Sequence, residues 1–254
     1  MDALAGKTAI VTGGSRGFGR GIVEALAAEG MRVIAVARDR DRLAALGREV
    51  TGKVETLAAD VTDSLAAART IERERPQVLV LNAGALGTHR PTRLHTWETF
   101  SAYWETDVKA AFLWAREALL LPLAGGSAII IGSSTAAFSS FQLIAGYVAA
   151  KAALWGLARC LADEARPLGI RVHCLFPVLT LETDMGRDAV AAFARRQGVR
   201  EAEVVAQLGL VPPLTPAMVG AGVVRILTDP GCADEVGFKV GPDGLQPLSA
   251  VDQR

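Results

Sequence analysis

TAIVTGGSRGFG, residues 8–19, carries the clearest fold signal in this 254-residue chain. Its first five residues are apolar or β-branched, which is typical of a strand that other elements cover on both faces. The glycines that follow allow a sharp turn and let a ligand approach the backbone where a Cβ would clash. A helix that starts in this loop points unpaired N–H groups and a positive dipole end at the same spot. We therefore predict a pyrophosphate site. The alternative, a glycine-rich turn without a ligand, is disfavoured because strand, loop and helix come in the required order.

The alternation of strand and helix continues beyond this loop. Short apolar runs rich in β-branched residues recur at 32–37, 78–82, 128–132 and 170–175. Alanine-rich segments with helical spacing lie around them, at 18–30, 39–49, 63–75, 97–121 and 146–168. This order predicts βαβ units, and hence an α/β fold with a doubly wound parallel sheet of about seven strands flanked by helices.

No linker, repeat or low-complexity tract divides the chain, so we predict that residues 1–254 form a single dinucleotide-binding domain. The least regular stretch is 177–215, which starts at Phe176-Pro177 and ends with Pro212-Pro213. Its spacing predicts one helix, at about 187–196. An excursion of this length above a compact sheet is typical of a functional lid, so we interpret 177–215 as a substrate lid.

The composition excludes several classes of protein. Lys+Arg and Asp+Glu both count 27, so no net charge draws the chain to nucleic acid or to an anionic membrane. No apolar run is long enough to span a membrane, and the N-terminus lacks the apolar stretch of a signal peptide. The three cysteines show no paired spacing, which favours free thiols in a reducing compartment over a disulfide or metal site. We expect a cytoplasmic protein without a bound metal.

Tyr147 and Lys151 are a candidate catalytic pair. The chain has only two tyrosines, and this one lies four residues before a lysine, on the same helix face. A free phenol has a pKa near 10, and a nearby ammonium lowers that pKa, which suits a general acid or base. The alternative is a surface pair on an amphipathic helix, which the strand ending in Ser133-Ser134-Thr135 shortly before the pair makes less attractive.

The pattern T-G-x-x-x-G-x-G at 12–19, followed by Y-x-x-x-K at 147–151, closely resembles the classical short-chain dehydrogenases/reductases. The resemblance covers nearly the whole chain, because Asp60-Val61, Asn82-Ala83-Gly84 and E-T-D-M at 182–185 match further family elements in the correct order. It implies a Rossmann fold. It also implies an oxidoreductase, similar to the 3-oxoacyl-carrier-protein reductases, that interconverts a carbonyl and an alcohol on a small or acyl substrate.

The same resemblance assigns roles to individual residues. Ser134 lies 13 residues before Tyr147 and would hydrogen-bond the carbonyl oxygen, with Ser133, one residue off, as the alternative. Tyr147 would protonate that oxygen, and Lys151 would bind the nicotinamide ribose. Asp60 would hold the adenine and Thr183 the nicotinamide carboxamide. The full set implied to bind the cofactor is Gly13, Ser15, Arg16, Gly17, Phe18, Gly19, Arg38, Asp60, Val61, Asn82, Ala83, Gly84, Tyr147, Lys151, Pro177 and Thr183.

The end of the second predicted strand indicates the preferred cofactor. NAD-binding relatives place an acid there to hold the ribose 2′-hydroxyl, whereas this chain has Ala37, followed by Arg38. Arg16 lies in the glycine loop. Two guanidinium groups can clamp a 2′-phosphate with charge-assisted hydrogen bonds. We therefore predict NADP(H) in preference to NAD(H).

Three positions depart from the family pattern: Leu81 replaces the first asparagine of N-N-A-G, Val178 replaces a glycine, and Asp107 replaces the fourth catalytic residue, an asparagine. A carboxylate at 107 would pair with the Lys151 ammonium and add negative charge where a phenolate must form. These departures sustain a second hypothesis, a nucleotide-binding sensor or inactive partner subunit. The intact Ser134, Tyr147 and Lys151 favour the enzyme.

The sequence does not identify the substrate. We interpret the apolar residues of 177–215 as lid packing, the Arg195-Arg196 pair as a solvated helix face, and the three histidines as structural. Small residues surround Tyr147, which allows another helix to pack closely. In the resembling family the equivalent helix forms a subunit interface, so a homotetramer or dimer is expected.

Overall fold

The computed structural model of the protein describes residues 4–248. They form one sheet whose strand order is β3-β2-β1-β4-β5-β6-β7-β8, with the first seven strands parallel to one another. The last strand runs antiparallel to its neighbour. The strands are β1 (Thr8–Thr12), β2 (Arg32–Ala37), β3 (Lys53–Ala58), β4 (Val78–Leu81), β5 (Ala128–Gly132), β6 (Arg171–Pro177), β7 (Gly237–Gly241) and β8 (Gly244–Pro247).

The predicted doubly wound α/β fold is confirmed, and the chain forms a single Rossmann-like domain. Helices cover both faces of the sheet. They are α1 (Gly17–Ala28), α2 (Arg40–Glu49), α3 (Ser64–Glu74), α4 (Trp97–Tyr103), α5 (Lys109–Leu120), α6 (Ala145–Ala165), α7 (Asp184–Gln197), α8 (Glu201–Gln207) and α9 (Pro216–Thr228). In the part of the chain that the structure describes, none of these helices has the length and hydropathy that a membrane crossing requires.

Side-chain caps explain where several helices begin. The Asp39 carboxylate accepts a hydrogen bond from the Arg42 N–H, and the Asp63 carboxylate accepts from the first turn of α3. Both aspartates therefore lie just outside the helices that sequence spacing started at 39 and 63. Thr183 caps α7 in the same way, by accepting from the Gly186 N–H. The helix predicted at about 187–196 therefore begins earlier, at Asp184.

Two apolar layers, one on each face of the sheet, make up the main core. Neighbouring strand residues alternate between them: Val11 belongs to the layer under α1 and α9, whereas Ile10 belongs to the layer under α3, α5 and α6. Val80 and Leu79 divide in the same way. Because both faces are buried, the strands read as continuous apolar runs rather than as alternating patterns.

The segment predicted as one helix over 97–121 has an interruption. After α4 the backbone forms a π-helical turn at Trp104–Val108 before continuing as α5. The buried Asp107 lies within this turn. A π turn inserts an extra residue into the helical repeat, so the residues that follow face a different direction, and such turns are frequent at functional sites.

The strand order reverses between β1 and β4, where the chain crosses from one half of the sheet to the other. In open α/β sheets a ligand cleft forms at this point, outside the carboxyl ends of the strands. The segment 177–215 lies over this edge and contains α7 and α8. Val190 and Phe193 of the segment pack with Leu143 and Ile144, in front of α6, in a third apolar cluster.

Candidate active site

The phosphate loop between β1 and α1 has the geometry of an anion cradle. Gly13 and Gly17 adopt positive φ angles of 68° and 53°. A Cβ on Gly19 would lie 2.1 Å from the Gly13 carbonyl oxygen, so only glycine fits. Arg16 stands at the N-cap of α1 and provides no side-chain cap, which leaves the first-turn N–H groups available. The residues therefore fit a dinucleotide pyrophosphate.

One cleft of about 820 Å³ runs from this loop along the carboxyl edge of the sheet. The structure brings most of the predicted site residues to its walls, namely Gly13, Ser15, Arg16, Gly17, Phe18, Arg38, Val61, Asn82, Ala83, Gly84, Ser134, Tyr147, Lys151, Pro177 and Thr183. Gly19, Asp60 and Asp107 lie outside the lining. The Asp60 carboxylate accepts hydrogen bonds from the Thr62 N–H at 2.9 Å and hydroxyl at 2.8 Å, so it serves its own turn.

Lys151 projects from α6 into a buried network. Its Nζ lies 2.9 Å from Oδ2 of Asp107 and donates a hydrogen bond to the Gly132 carbonyl at 3.3 Å. Both members of the ion pair are almost fully buried. Burial lowers the pKa of Lys151, but the attraction of Asp107 and then of Tyr147 outweighs it, and the pKa is raised overall. The ammonium charge is therefore retained and largely neutralised by one carboxylate.

Besides the ion pair, Asp107 has a hydrogen bond that fixes its orientation. Its Oδ1 accepts from the Ala85 N–H at 2.8 Å, just after the Asn82-Ala83-Gly84 element. The carboxylate thus links the π turn, the loop after β4 and α6. The ion pair expected from the sequence is present, and it joins three elements that lie far apart along the chain.

Tyr147 lies beside this network and contacts a second tyrosine. Lys151 Nζ is 5.4 Å from the centroid of the Tyr147 ring. Tyr103, at the end of α4, meets the same ring edge-to-face with 5.2 Å between centroids. Tyr103 is buried, and this burial, with smaller contributions from Tyr147 and Asp107, raises its pKa to about 12. A Cβ on Gly87 would lie 2.3 Å from Tyr103 Cζ, so a glycine makes room for the ring.

Tyr103 was not predicted from the sequence as a site residue. Its ring lines the cleft next to Tyr147, so it faces any molecule bound there. The available signal was that both tyrosines of the chain lie in segments that converge on one site. Spacing along the chain gave no indication that the two rings touch.

The two candidate serines have different partners. Ser133 is buried, and its hydroxyl donates to the Lys151 carbonyl at 2.8 Å. The Ser134 hydroxyl accepts from the Ala136 N–H at 3.2 Å, at the start of the short turn Thr135–Phe138. Both serines line the cleft. The hydrogen of the Ser133 hydroxyl is committed to the protein, whereas among residues 4–248 the Ser134 hydroxyl donates to no protein acceptor.

At the adenosine end of the cleft, the two arginines expected to clamp a 2′-phosphate differ. Arg38 is exposed and faces the cleft. Arg16 is already engaged, because it donates to the carboxylate of Asp184 at the start of α7. Nη1 of Arg42 lies 3.6 Å from the same carboxylate. Hydrogen bonds from Arg187, and then from Arg16, lower the pKa of Asp184.

The remaining polar residues give no metal site. In the described range 4–248, no three His, Cys, Asp or Glu side chains come together as ligands. All three cysteines are free, as expected. His173 is buried, with Nδ1 2.7 Å from the Glu235 carbonyl oxygen, which agrees with a structural role. His89, in contrast, lines the cleft.

Comparisons with known proteins identify relatives of the whole arrangement. Residues 7–193 match the family model described as short chain dehydrogenase. The chain is 34% identical to L-xylulose reductase of Bos taurus over 188 residues, 73% of this chain and 76% of that protein. It is 33% identical to the 3-oxoacyl-(acyl-carrier-protein) reductase FabG of Escherichia coli K12 over 189 residues, 72% of this chain and 76% of that one.

Solved structures give the same result at the level of the fold. The crystal structure of a variant of actinorhodin polyketide ketoreductase with NADPH superimposes with a TM-score of 0.81. The two chains are 25% identical, and the match covers 92% of this chain and 95% of that one. The likeness therefore extends beyond 193, where the family model ends, into the segment that completes the sheet.

Proposed function

The chain belongs to the short-chain dehydrogenase family of oxidoreductases, and on that premise we propose that it is an NADP(H)-dependent enzyme that interconverts a carbonyl and an alcohol on a small or acyl substrate. One observation carries this proposal. A single cleft has the glycine cradle of a pyrophosphate on one wall and Ser134, Tyr147 and Lys151 on another. A bound dinucleotide and a substrate carbonyl therefore share one space with a proton donor.

The protein's part in the reaction is to position groups and to move one proton. NADPH, when bound, supplies the hydride. The Tyr147 hydroxyl gives its proton to the carbonyl oxygen, and the free hydroxyl hydrogen of Ser134 stabilises the charge that develops on that oxygen. Lys151 holds the nicotinamide ribose and places a positive charge near the phenol that becomes a phenolate.

Asp107 acts through Lys151. The 2.9 Å ion pair and the hydrogen bond from the Ala85 N–H hold the lysine head in place. These contacts support for the carboxylate the role in proton return that the resemblance gives to the family's asparagine. Its charge reduces the help that Lys151 gives to phenolate formation. We assign it a supporting role in proton transfer, with the cost of a displaced pH optimum.

Arg38 supports the preference for NADP(H) over NAD(H). β2 ends at Ala37 rather than at an acid that could hold a ribose 2′-hydroxyl, and the Arg38 guanidinium lines the cleft directly after it. Asp39 also lines the cleft, but its carboxylate caps α2 by accepting from the Arg42 N–H. Arg16 completes the clamp once it exchanges the Asp184 carboxylate for a 2′-phosphate. The solved ketoreductase with NADPH is a relative in which this cofactor is present.

The remaining expectations concern the lid, the assembly and the compartment. We propose that 177–215 closes over the substrate, since its helix α7 packs beside Tyr147. A homotetramer or dimer is supported by Phe112 on α5, which is half exposed, and by the open space beyond Gly156 on α6. The free thiols support a cytoplasmic protein.

A second function, that of a nucleotide-binding sensor or inactive partner subunit, is favoured by one observation. The buried Asp107 neutralises the charge of Lys151 in the position where catalysis needs that charge. The assay that separates the two functions is NADPH oxidation across a panel of ketones, run beside a measurement of NADPH affinity. An enzyme oxidises NADPH with at least one ketone, whereas a sensor binds NADPH and leaves it unchanged with all of them.

A further inference from the structure

Part of the cleft lining lies beside Tyr147 and contains none of the other residues expected to bind the cofactor; we call this part the substrate chamber. Six residues define this substrate chamber: His89, Tyr103, Phe141, Ile144, Leu179 and Phe193. They belong to the loop after β4, the end of α4, the loop before α6, the segment after β6, and α7. The Arg90 N–H donates to the Leu143 carbonyl at 3.0 Å, which joins the loop after β4 to the loop before α6.

The walls of the substrate chamber are aromatic and aliphatic. Phe141 and Phe193 stack with 5.5 Å between ring centroids, across the gap between the loop before α6 and the lid. The Tyr103 ring lies against Tyr147, and Leu179 packs in the same apolar cluster as Phe193. Aromatic side chains at such spacings favour contact with the edge or face of another ring.

The chamber offers no fixed charge to a bound ligand. Burial lowers the pKa of His89; Asp188 opposes this effect and Arg195 adds to it, so the neutral imidazole is favoured. Glu182 and Arg187 also line the cleft, but both are exposed to solvent, and the Arg187 guanidinium already donates to Asp184 and to the Leu181 carbonyl. Asp188 is exposed and does not line the cleft. Within the described residues, the ammonium nearest the chamber is Lys151, and Asp107 already neutralises it. A carboxylate or phosphate buried here would lose its hydration without gaining a partner.

The space is also limited. The whole cleft measures about 820 Å³, which is within the range of about 300–1,000 Å³ that a site for one ligand occupies. Because the same cleft has to take a dinucleotide, only a compact substrate fits beside it. The six chamber residues offer only His89 and the Tyr103 hydroxyl as polar groups. Of the serines elsewhere in the cleft lining, Ser133 and Ser139 already donate to protein carbonyls, so a polyhydroxylated ligand would leave most of its hydroxyls unpaired.

From these features we infer that the substrate is a compact, uncharged ketone with an aromatic or carbocyclic body, and that charged and polyhydroxylated ketones are excluded. The inference rests on the proposed function and adds the substrate class. Phe141 and Phe193 supply the surfaces that hold the ring, and neutral His89 offers one hydrogen bond to a polar substituent.

The test compares 2-tetralone, its 6-carboxylate and a ketopentose, with NADPH as reductant. We expect kcat/KM for 2-tetralone to exceed each of the other two by about a hundredfold or more. Equal or higher kcat/KM for the carboxylate or the ketopentose overturns the inference and leaves the proposed function standing. If no ketone supports NADPH oxidation, the proposed function fails. The same three compounds titrated into the NADPH complex then decide the chamber's chemistry, because equal affinity for the carboxylate overturns it.

Two matched variants test the chamber itself. Phe141 and Phe138 are both 41% exposed, and each stacks on one buried phenylalanine, but only Phe141 lines the cleft. Phe141→Arg puts a cation at the chamber wall and should raise the kcat/KM ratio of carboxylate to neutral tetralone by about tenfold or more. Phe138→Arg should leave the ratio unchanged. An equal change in both variants, or none in Phe141→Arg, contradicts the assignment of the chamber.

Discussion

A carboxylate lies beside Lys151, the lysine of the proposed catalytic group, and changes the electrostatics of the site. Asp107 and Lys151 are buried together, and removing one member of such a pair leaves the other charge without a partner. Asparagine at 107 has nearly the same shape and keeps one carbonyl acceptor, for the Ala85 N–H, while an NH2 group replaces the oxygen that faces the ammonium, so the negative charge is removed. This makes it the informative substitution.

We predict that Asp107→Asn keeps or raises reductase activity and moves the basic limb of the pH–rate profile to lower pH. Without the carboxylate, Lys151 stabilises a phenolate more strongly, so the site loses its donor proton at lower pH. The measurement is kcat/KM against pH for both proteins with one accepted ketone. A parent that is inactive on every carbonyl, with a variant that gains activity, would establish the sensor reading. Superimposable profiles would place Asp107 outside the proton path.

Cofactor choice depends on another single residue. Arg16 is paired with Asp184, which leaves Arg38 as the guanidinium most available to a 2′-phosphate. We predict that Arg38→Ala reduces the preference for NADPH over NADH about tenfold, as expected for loss of a charge-assisted hydrogen bond. Arg40→Ala, an exposed neighbour that does not line the cleft, is the control and should leave the preference unchanged. Equal kcat/KM for the two cofactors in the parent would refute the assignment.

Among the elements, the phosphate loop was the easiest to predict. Its glycines, the strand before it and the helix after it are adjacent in sequence, so the pattern contains the whole motif. The π turn at 104–108 was not predictable from spacing, because the apolar residues of 97–121 fit one continuous helix. The short strand β8 also went unpredicted, since only four residues pair with β7.

The contacts between elements explain the rest of what the sequence left open. The ion pair of Asp107 with Lys151 was predicted because a family pattern brought both residues to one site. The contacts of Tyr103 with Tyr147 and of Asp184 with Arg16 were not predicted, since each joins elements distant in sequence. Arg16 and Asp184 both lie in family motifs, but those motifs do not specify a contact between them. The choice between Ser133 and Ser134 required the partner of each hydroxyl.

The close approach inside the phosphate loop gives a prediction at the level of the element. Gly19→Ala would place a Cβ 2.1 Å from the Gly13 carbonyl oxygen, so the loop must distort, and we expect NADPH affinity to be lost. Gly47→Ala in α2 is the matched control, because its nearest neighbour would be 3.8 Å away. It should leave NADPH affinity unchanged and stabilise the protein by up to about 1 kcal/mol. Isothermal titration calorimetry measures the NADPH affinity of both variants, and urea unfolding measures the stability of Gly47→Ala. Full NADPH affinity in Gly19→Ala would contradict the assigned phosphate loop.

In the molecule as a whole, the two apolar layers pack against the two faces of the sheet. The cleft and the segment 177–215 lie at its carboxyl edge. One buried polar residue in this frame couples stability to pH. His173 on β6 is fully buried, and its Nδ1 bonds the Glu235 carbonyl just before β7. Burial lowers its pKa to about 4.

Stability should therefore fall as the pH drops from about 6.5, the pKa of histidine in the unfolded chain, to about 4. In that window His173 is protonated in the unfolded chain but not in the folded protein, which lowers the free energy of unfolding by at most roughly 3 kcal/mol. Urea unfolding at pH 7.5 and pH 5 should show a larger loss of unfolding free energy in the parent than in His173→Gln, which cannot titrate. Identical pH dependence in the two proteins would contradict this role.

The central claim for the whole molecule is that NADPH and a ketone bind in one cleft, where the ketone receives hydride from NADPH and a proton from Tyr147. The measurement is the mass of any alcohol formed from each ketone of the panel, 2-tetralone included, with NADPH that carries deuterium at the transferable C4 position, for the parent and for Tyr147→Phe. The parent should yield an alcohol with one deuterium on the carbinol carbon. Tyr147→Phe should yield almost none while binding NADPH within a few-fold of the parent. Unlabelled or absent alcohol from the parent, or labelled alcohol from Tyr147→Phe at a similar rate, would contradict it.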